Sequence, residues 1–184
     1  MPIEAFENFI YAFGSARLLL RRAHDEGFLI EGMALYASLL DGFLRIGLVL
    51  KRQLNAKSSS IENTLIQQEK GGKFYSERQI YRMAFQEGVI DEPIFQALGQ
   101  LYDRRNDIIH KFFLTLITYE SLPKDLLQYE ELYAALYAKV YALEKEQIEQ
   151  GVGMTTVGAV DDNSEIFRRI NDKIAPTSAR GRLT

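Results

Sequence analysis

Only four prolines occur in the 184 residues, at positions 2, 93, 123 and 176, and they leave long intervals in which nothing interrupts a helix. Proline lacks a backbone N–H and its ring clashes with the preceding turn, so a helix accepts it in the first turn but not in the interior. Each of the four lies where a helix could begin or after one has ended. No segment alternates apolar and polar residues over a useful length, the pattern a half-buried strand needs. The chain is therefore expected to be all-α, an up-and-down helical bundle.

Apolar spacing places the helices. The first is expected from Ile3 to His24, burying Phe6, Phe9, Ile10, Phe13 and Leu20. The second, Phe28 to Leu54, carries Leu35, Leu39, Phe43, Ile46 and Leu50 as an apolar stripe and Glu31, Ser38, Asp41, Arg45 and Arg52 as a polar row. Its glycines at 32, 42 and 47 suit close helix packing. Ser59 with Glu62, and Ser76 with Gln79, have the spacing of capping boxes, which makes the intervening region a short helical insert. Asp91 is a candidate N-cap with Pro93 in the first turn of a helix reaching about Leu116. Lys124 to Gln150 forms the last long helix. Residues 1–150 thus form one helical domain. Residues 151–184 begin with the Gly-rich "GVGMTTVGAVDDNS" and are expected to be a flexible tail with one short amphipathic helix, "SEIFRRINDKI", that docks or folds on a partner.

Composition removes several functions. There is no Cys, which excludes disulfides, thiol catalysis and Cys-based zinc sites. With 22 Lys and Arg against 25 Asp and Glu the net charge is −3, so the molecule lacks the overall positive field of a duplex-DNA binder. "GVGMTTVG" has no G-K-[ST] after it and no strand before it, and so is not a phosphate loop. No metal-ligand spacing is present, and neither a metal nor a cofactor is expected. The start "MPIEAFENF" does not have the form of a secretion signal, and charges break the apolar runs well short of the ~20 residues a membrane span needs. A cytoplasmic chain with no membrane contact is expected.

Chemistry is concentrated in "YDRRNDIIHKFF", residues 102–113. Ile94, Leu98, Leu101, Ile109, Phe112 and Leu116 fall in one helical stripe, and Arg105 falls near its centre. Asn106 and His110 are neighbours on the edge with Asp103 behind them, while Arg104, Asp107 and Lys111 point to solvent. A buried, unpaired guanidinium costs several kcal/mol and cannot shed its proton. Arg105 therefore meets either a carboxylate of the second helix, Glu31 or Asp41, or a phosphate in a cleft or at a second copy of the chain.

"RNDIIH" on a helix of an all-helical chain resembles the R-x4-6-H motif of the HEPN superfamily, including the polar residue directly after the Arg. The turn "EGVIDEPIFQALGQLYDRRN" and the helix "EGMALYASLLDGFLR" have the same look, so the resemblance spans roughly Phe28 to Gln150. It implies a compact helical bundle, a homodimer, and a metal-independent ribonuclease of the toxin-antitoxin or defence kind, with Arg105 and His110 as catalytic pair and Asn106 between them. An antitoxin or other protein partner would fit that setting. In the subset silenced by a nucleotidyltransferase a Tyr stands two places after the His. Phe112 stands there in this chain, so regulation of that type is not expected.

The chemistry agrees with the resemblance. Attack of a ribose 2′-hydroxyl on the adjacent phosphorus needs a base near neutrality and a planar cation for the phosphate oxygens, and His and Arg supply these. Acid and base together need two imidazoles, whereas the chain holds only His24, expected exposed beside Asp25, and His110. An isologous dimer along the motif helices would supply two of each. Arg104, Lys111 and Arg45 are the candidate RNA-backbone contacts, with Arg52 and the insert's Lys70, Lys73, Arg78 and Arg82 as further basic residues. Asp103, Asp41 and Glu31 are candidate supports. Tyr133, Tyr137 and Tyr141, four apart, suit core or dimer packing better than base stacking. The alternative is a non-catalytic module of the same type that binds RNA or a protein. A third reading is an unrelated helical adaptor.

Overall fold

The computed structural model describes residues 2–68 and 74–157, which form an all-α helical bundle. The expected tail helix and Lys70 and Lys73 lie outside these residues. The helices are α1 Pro2–Glu26, α2 Leu29–Ala56, α3 Asn63–Ile66, α4 Glu77–Gln86, α5 Glu92–Lys111, α6 Leu122–Gln150 and α7 Met154–Val157. Among the described residues there is no strand.

Helix α2 is the axis of the bundle and packs on α1, α3, α4, α5 and α6. Sixteen of its 28 residues are buried, far more than one stripe, because neighbours cover it on nearly every side. By length and composition α2 could cross a membrane, but 72% of that apolar window is buried inside the bundle. Two of the three glycines named for close packing have that role. A Cβ at Gly42 would lie 2.7 Å from the Phe13 ring, and one at Gly47 2.6 Å from a Val89 methyl. At Gly32 the space is ordinary, 3.4 Å to Leu126. The Tyr133 ring packs edge-on against Tyr36 and Phe43, as core packing requires, whereas Tyr137 and Tyr141 face outward.

The caps show which local signals act. Ser76 and Gln79 form the expected capping box, the Ser76 N–H donating to Gln79 Oε1 at 2.8 Å. Asp91 caps α5 by accepting from the Ile94 N–H at 3.2 Å. Ser59 does not cap a helix; α3 is a single turn opened at Glu62, and the Ser59 and Ser60 carbonyls instead accept from the buried Gln53 amide.

Helix α5 ends at Lys111 instead of Leu116. A 3-10 turn at Phe112–Leu114 follows, and the chain is extended at Thr115. The buried stripe consequently runs Leu98, Leu101, Ile108, while Ile109, Phe113, Leu114 and Leu116 are exposed. The next strong helix signal is Pro123 in the first turn of α6, and the β-branched Thr115, Ile117 and Thr118 between them favour extended backbone.

Candidate functional site

Arg105 of α5 faces a cleft of about 290 Å3 lined by Ser38, Asp41 and Arg45 of α2, Phe74 and Tyr75 just before α4, and Glu77 at its start. Its partner is neither Glu31 nor Asp41. Arg105 Nη1 donates to both carboxylate oxygens of Glu77, at 2.7 and 2.8 Å, and Nη2 donates to Asn106 Oδ1 at 3.2 Å. Glu77 is the first residue of α4, so the capping box at Ser76 fixes where its carboxylate stands. The Tyr81 hydroxyl, one turn on, donates to the same carboxylate at 2.8 Å. Arg105 also lies 4.9 Å over the Tyr102 ring. Burial works against its charge, but the Glu77 bonds outweigh this and hold the guanidinium above its ordinary pKa.

Asp41 and Arg45 form a second pair on the α2 wall of the cleft. Arg45 donates to Asp41 Oδ2 at 2.6 Å and to the carbonyls of Leu65 and Tyr75 at 2.8 and 3.0 Å, which ties the insert to α2. Burial pushes the Asp41 carboxyl up, and the Arg45 bond pulls part of the way back. Its other oxygen, Oδ1, is buried without a partner. Two carboxylates thus offset two guanidiniums around the cleft, and an anion approaching it meets no excess positive charge.

His110 stands elsewhere. It is exposed in the last turn of α5 and does not line the cleft. Five residues of helix separate the two side chains by about 140° of rotation and roughly 7.5 Å of rise, so they do not converge within one chain. The apolar residues that flank it in the chain, Ile109 at 41%, Phe113 at 95%, Leu114 at 85% and Leu116 at 101% exposure, stand in water.

Arg104 does not point to solvent. It donates twice to Asp125 of α6, at 3.0 and 2.7 Å, and Asp125 is 9% exposed. The pair joins α5 to α6, and the Asp125 hydrogen bond raises the Arg104 pKa. Arg104 and Arg45 each hold a structural ion pair and keep further N–H donors beyond these bonds. Lys111 is exposed and pairs with Asp107 at 2.9 Å, Asp103 is exposed and pairs with Arg78, and Glu31 is exposed. His24 is held between the Tyr36 hydroxyl and Glu130, each at 3.2 Å. Arg52 is tied to Glu87 and Glu62.

Sequence reasoning missed Glu77, Tyr102 and Asp125. Nothing local distinguishes Glu77 from other acids in a first helical turn, and its closeness to Arg105 arises only when the insert folds against α2 and α5. Asp125, one turn inside α6, reads as a favourable charge at a helix N-terminus until Arg104 is seen opposite it.

No protein-family model, curated protein or solved structure matches this chain. The fold and the cleft define its class as an all-α bundle with an arginine-centred polar cleft between α2, α4 and α5.

Proposed function

We propose that this chain is a metal-independent endoribonuclease of HEPN type that cuts single-stranded RNA at a site completed by a second copy. The observation that carries the reading is the placement of His110. It is solvent-exposed, has no hydrogen-bond partner among the described residues, and borders an exposed apolar segment suited to an isologous contact. Such a contact brings two His110 residues into one groove. One imidazole takes the proton of the ribose 2′-hydroxyl as its oxygen attacks phosphorus, and an imidazolium protonates the departing 5′-oxygen. The products are a 2′,3′-cyclic phosphate and a free 5′-hydroxyl. Arg105 meets the non-bridging oxygens through its Nε–H, which the Glu77 and Asn106 bonds leave open, and Asn106 holds the guanidinium plane. A toxin or defence role follows from the same resemblance.

The Arg105–Glu77 ion pair favours a second reading, a non-catalytic module of this type in which Arg105 fixes the insert and the surface binds RNA or a protein. Incubating the purified chain with single-stranded RNA in EDTA separates the two. Cyclic-phosphate ends from wild type and none from His110→Ala support the enzyme; intact RNA from both, with the RNA bound, supports the module.

A further inference from the structure

Helix α6 has two apolar faces, and only one is covered. At about 100° per residue, Leu127, Ala134, Tyr137, Ala138, Tyr141 and Ile148 fall within one outward arc of roughly 100°. Leu127, Tyr137, Tyr141 and Ile148 are 53%, 52%, 59% and 60% exposed. The rings of Tyr137 and Tyr141 stack with centroids 6.4 Å apart. Lys145, on the same arc, pairs with Glu149 at 3.6 Å. On the arc's edge Glu144 is half-buried with no hydrogen-bond or ion-pair partner among the described residues, and burial pushes its carboxyl up. This surface favours a partner that is apolar with a cation at one edge.

The chain beyond the described residues has that chemistry and starts in the right place. After α6 closes at Gly151, α7 is anchored to the end of the bundle. The Met154 N–H donates to Gln53 Oε1 at 3.1 Å, and the Thr155 hydroxyl to Gln147 Oε1 at 2.6 Å. The path from Val157 through residues 158–163 can reach roughly 20 Å. The segment "SEIFRRINDKI", 164–174, follows. Its Ile166, Phe167, Ile170 and Ile174 fall on one helical face, with Arg169 and Lys173, four apart, on the edge. As a helix it is about 16 Å long, the rise of α6 from Tyr137 to Ile148.

We propose that residues 164–174 fold as an amphipathic helix antiparallel to α6 in the same chain, covering Tyr137, Tyr141 and Ile148 and setting Arg169 against Glu144. Tethering by a short linker gives this segment a millimolar effective concentration at the face. A second α6 is the poorer occupant, since an isologous pairing sets the acidic edge bearing Glu144 against its own copy.

The absence of Cys allows a clean test in the full chain. Tyr141→Cys with Ile170→Cys is predicted to form an intramolecular disulfide under mild oxidation roughly ten-fold or more faster than the control pair Phe74→Cys with Ile170→Cys. Adding Glu144→Arg slows it, and adding Arg169→Glu to that variant restores it. All substituted described positions are exposed or half-buried on the surface, so folding is retained. Bridging no faster than the control, or bridging only between chains, overturns the proposal.

Discussion

Glu77→Gln separates the two roles open to Arg105. With the carboxylate neutralised, the guanidinium keeps a hydrogen-bonding neighbour but loses the charge that offsets it. RNA affinity is expected to rise several-fold, with a loss of about 1–2 kcal/mol of stability from the weakened pair. Filter binding and urea unfolding on the same preparations check this, and lower stability with unchanged RNA affinity would assign Glu77 to scaffolding alone. Arg104 behaves differently because its partner is buried. Arg104→Ala strands the Asp125 carboxylate and should cost about 2 kcal/mol, below the value for a fully buried pair because the guanidinium is one-third exposed. Replacing both, Arg104→Met with Asp125→Leu, should recover most of that loss in the urea midpoint. A single variant within 0.5 kcal/mol of wild type, roughly the scatter of neutral surface changes, would refute the pairing argument.

Elements show where sequence patterns suffice and where they do not. The long helices α1, α2 and α6 were legible because their apolar spacing is sustained over many turns, and Pro2 and Pro123 fall in the first turns of α1 and α6. The end of α5 was not, because Phe112, Phe113, Leu114 and Leu116 continue the apolar composition without continuing the helix, and composition alone does not say which apolar residues face water. The one-residue shift of the stripe from Ile109 to Ile108 has the same origin, since both fit helical spacing and only packing chooses. Two substitutions test these assignments. Gly47→Ala places a methyl against Val89 and is expected to destabilise by about 1–3 kcal/mol in thermal or urea unfolding. Phe113→Asp with Leu116→Asp removes apolar surface that contributes nothing to the single chain. It should leave unfolding unchanged within about 0.5 kcal/mol while converting the proposed dimer to a monomer in sedimentation. A destabilised monomer, or an unaltered sedimentation profile, would show that this segment is not the contact.

At the scale of the whole molecule, one chain presents an arginine in a charge-balanced cleft and a histidine on another aspect of the same helix. The motif residues were legible in the sequence as types at a spacing. Their surroundings were not, because the partner of Arg105 is Glu77, supplied from outside the motif by the insert, and packing leaves His110 in water. The proposed catalyst draws on two copies, so the activity it predicts follows assembly. The most direct test measures formation of 2′,3′-cyclic phosphate ends per protomer, in EDTA, as the wild-type chain is diluted through the dissociation of the proposed dimer, with His110→Ala alongside. The prediction is a yield that falls with the dimer fraction and vanishes in the variant. A yield independent of dilution, equal in the two proteins, or absent from wild type at concentrations where it is dimeric would contradict it.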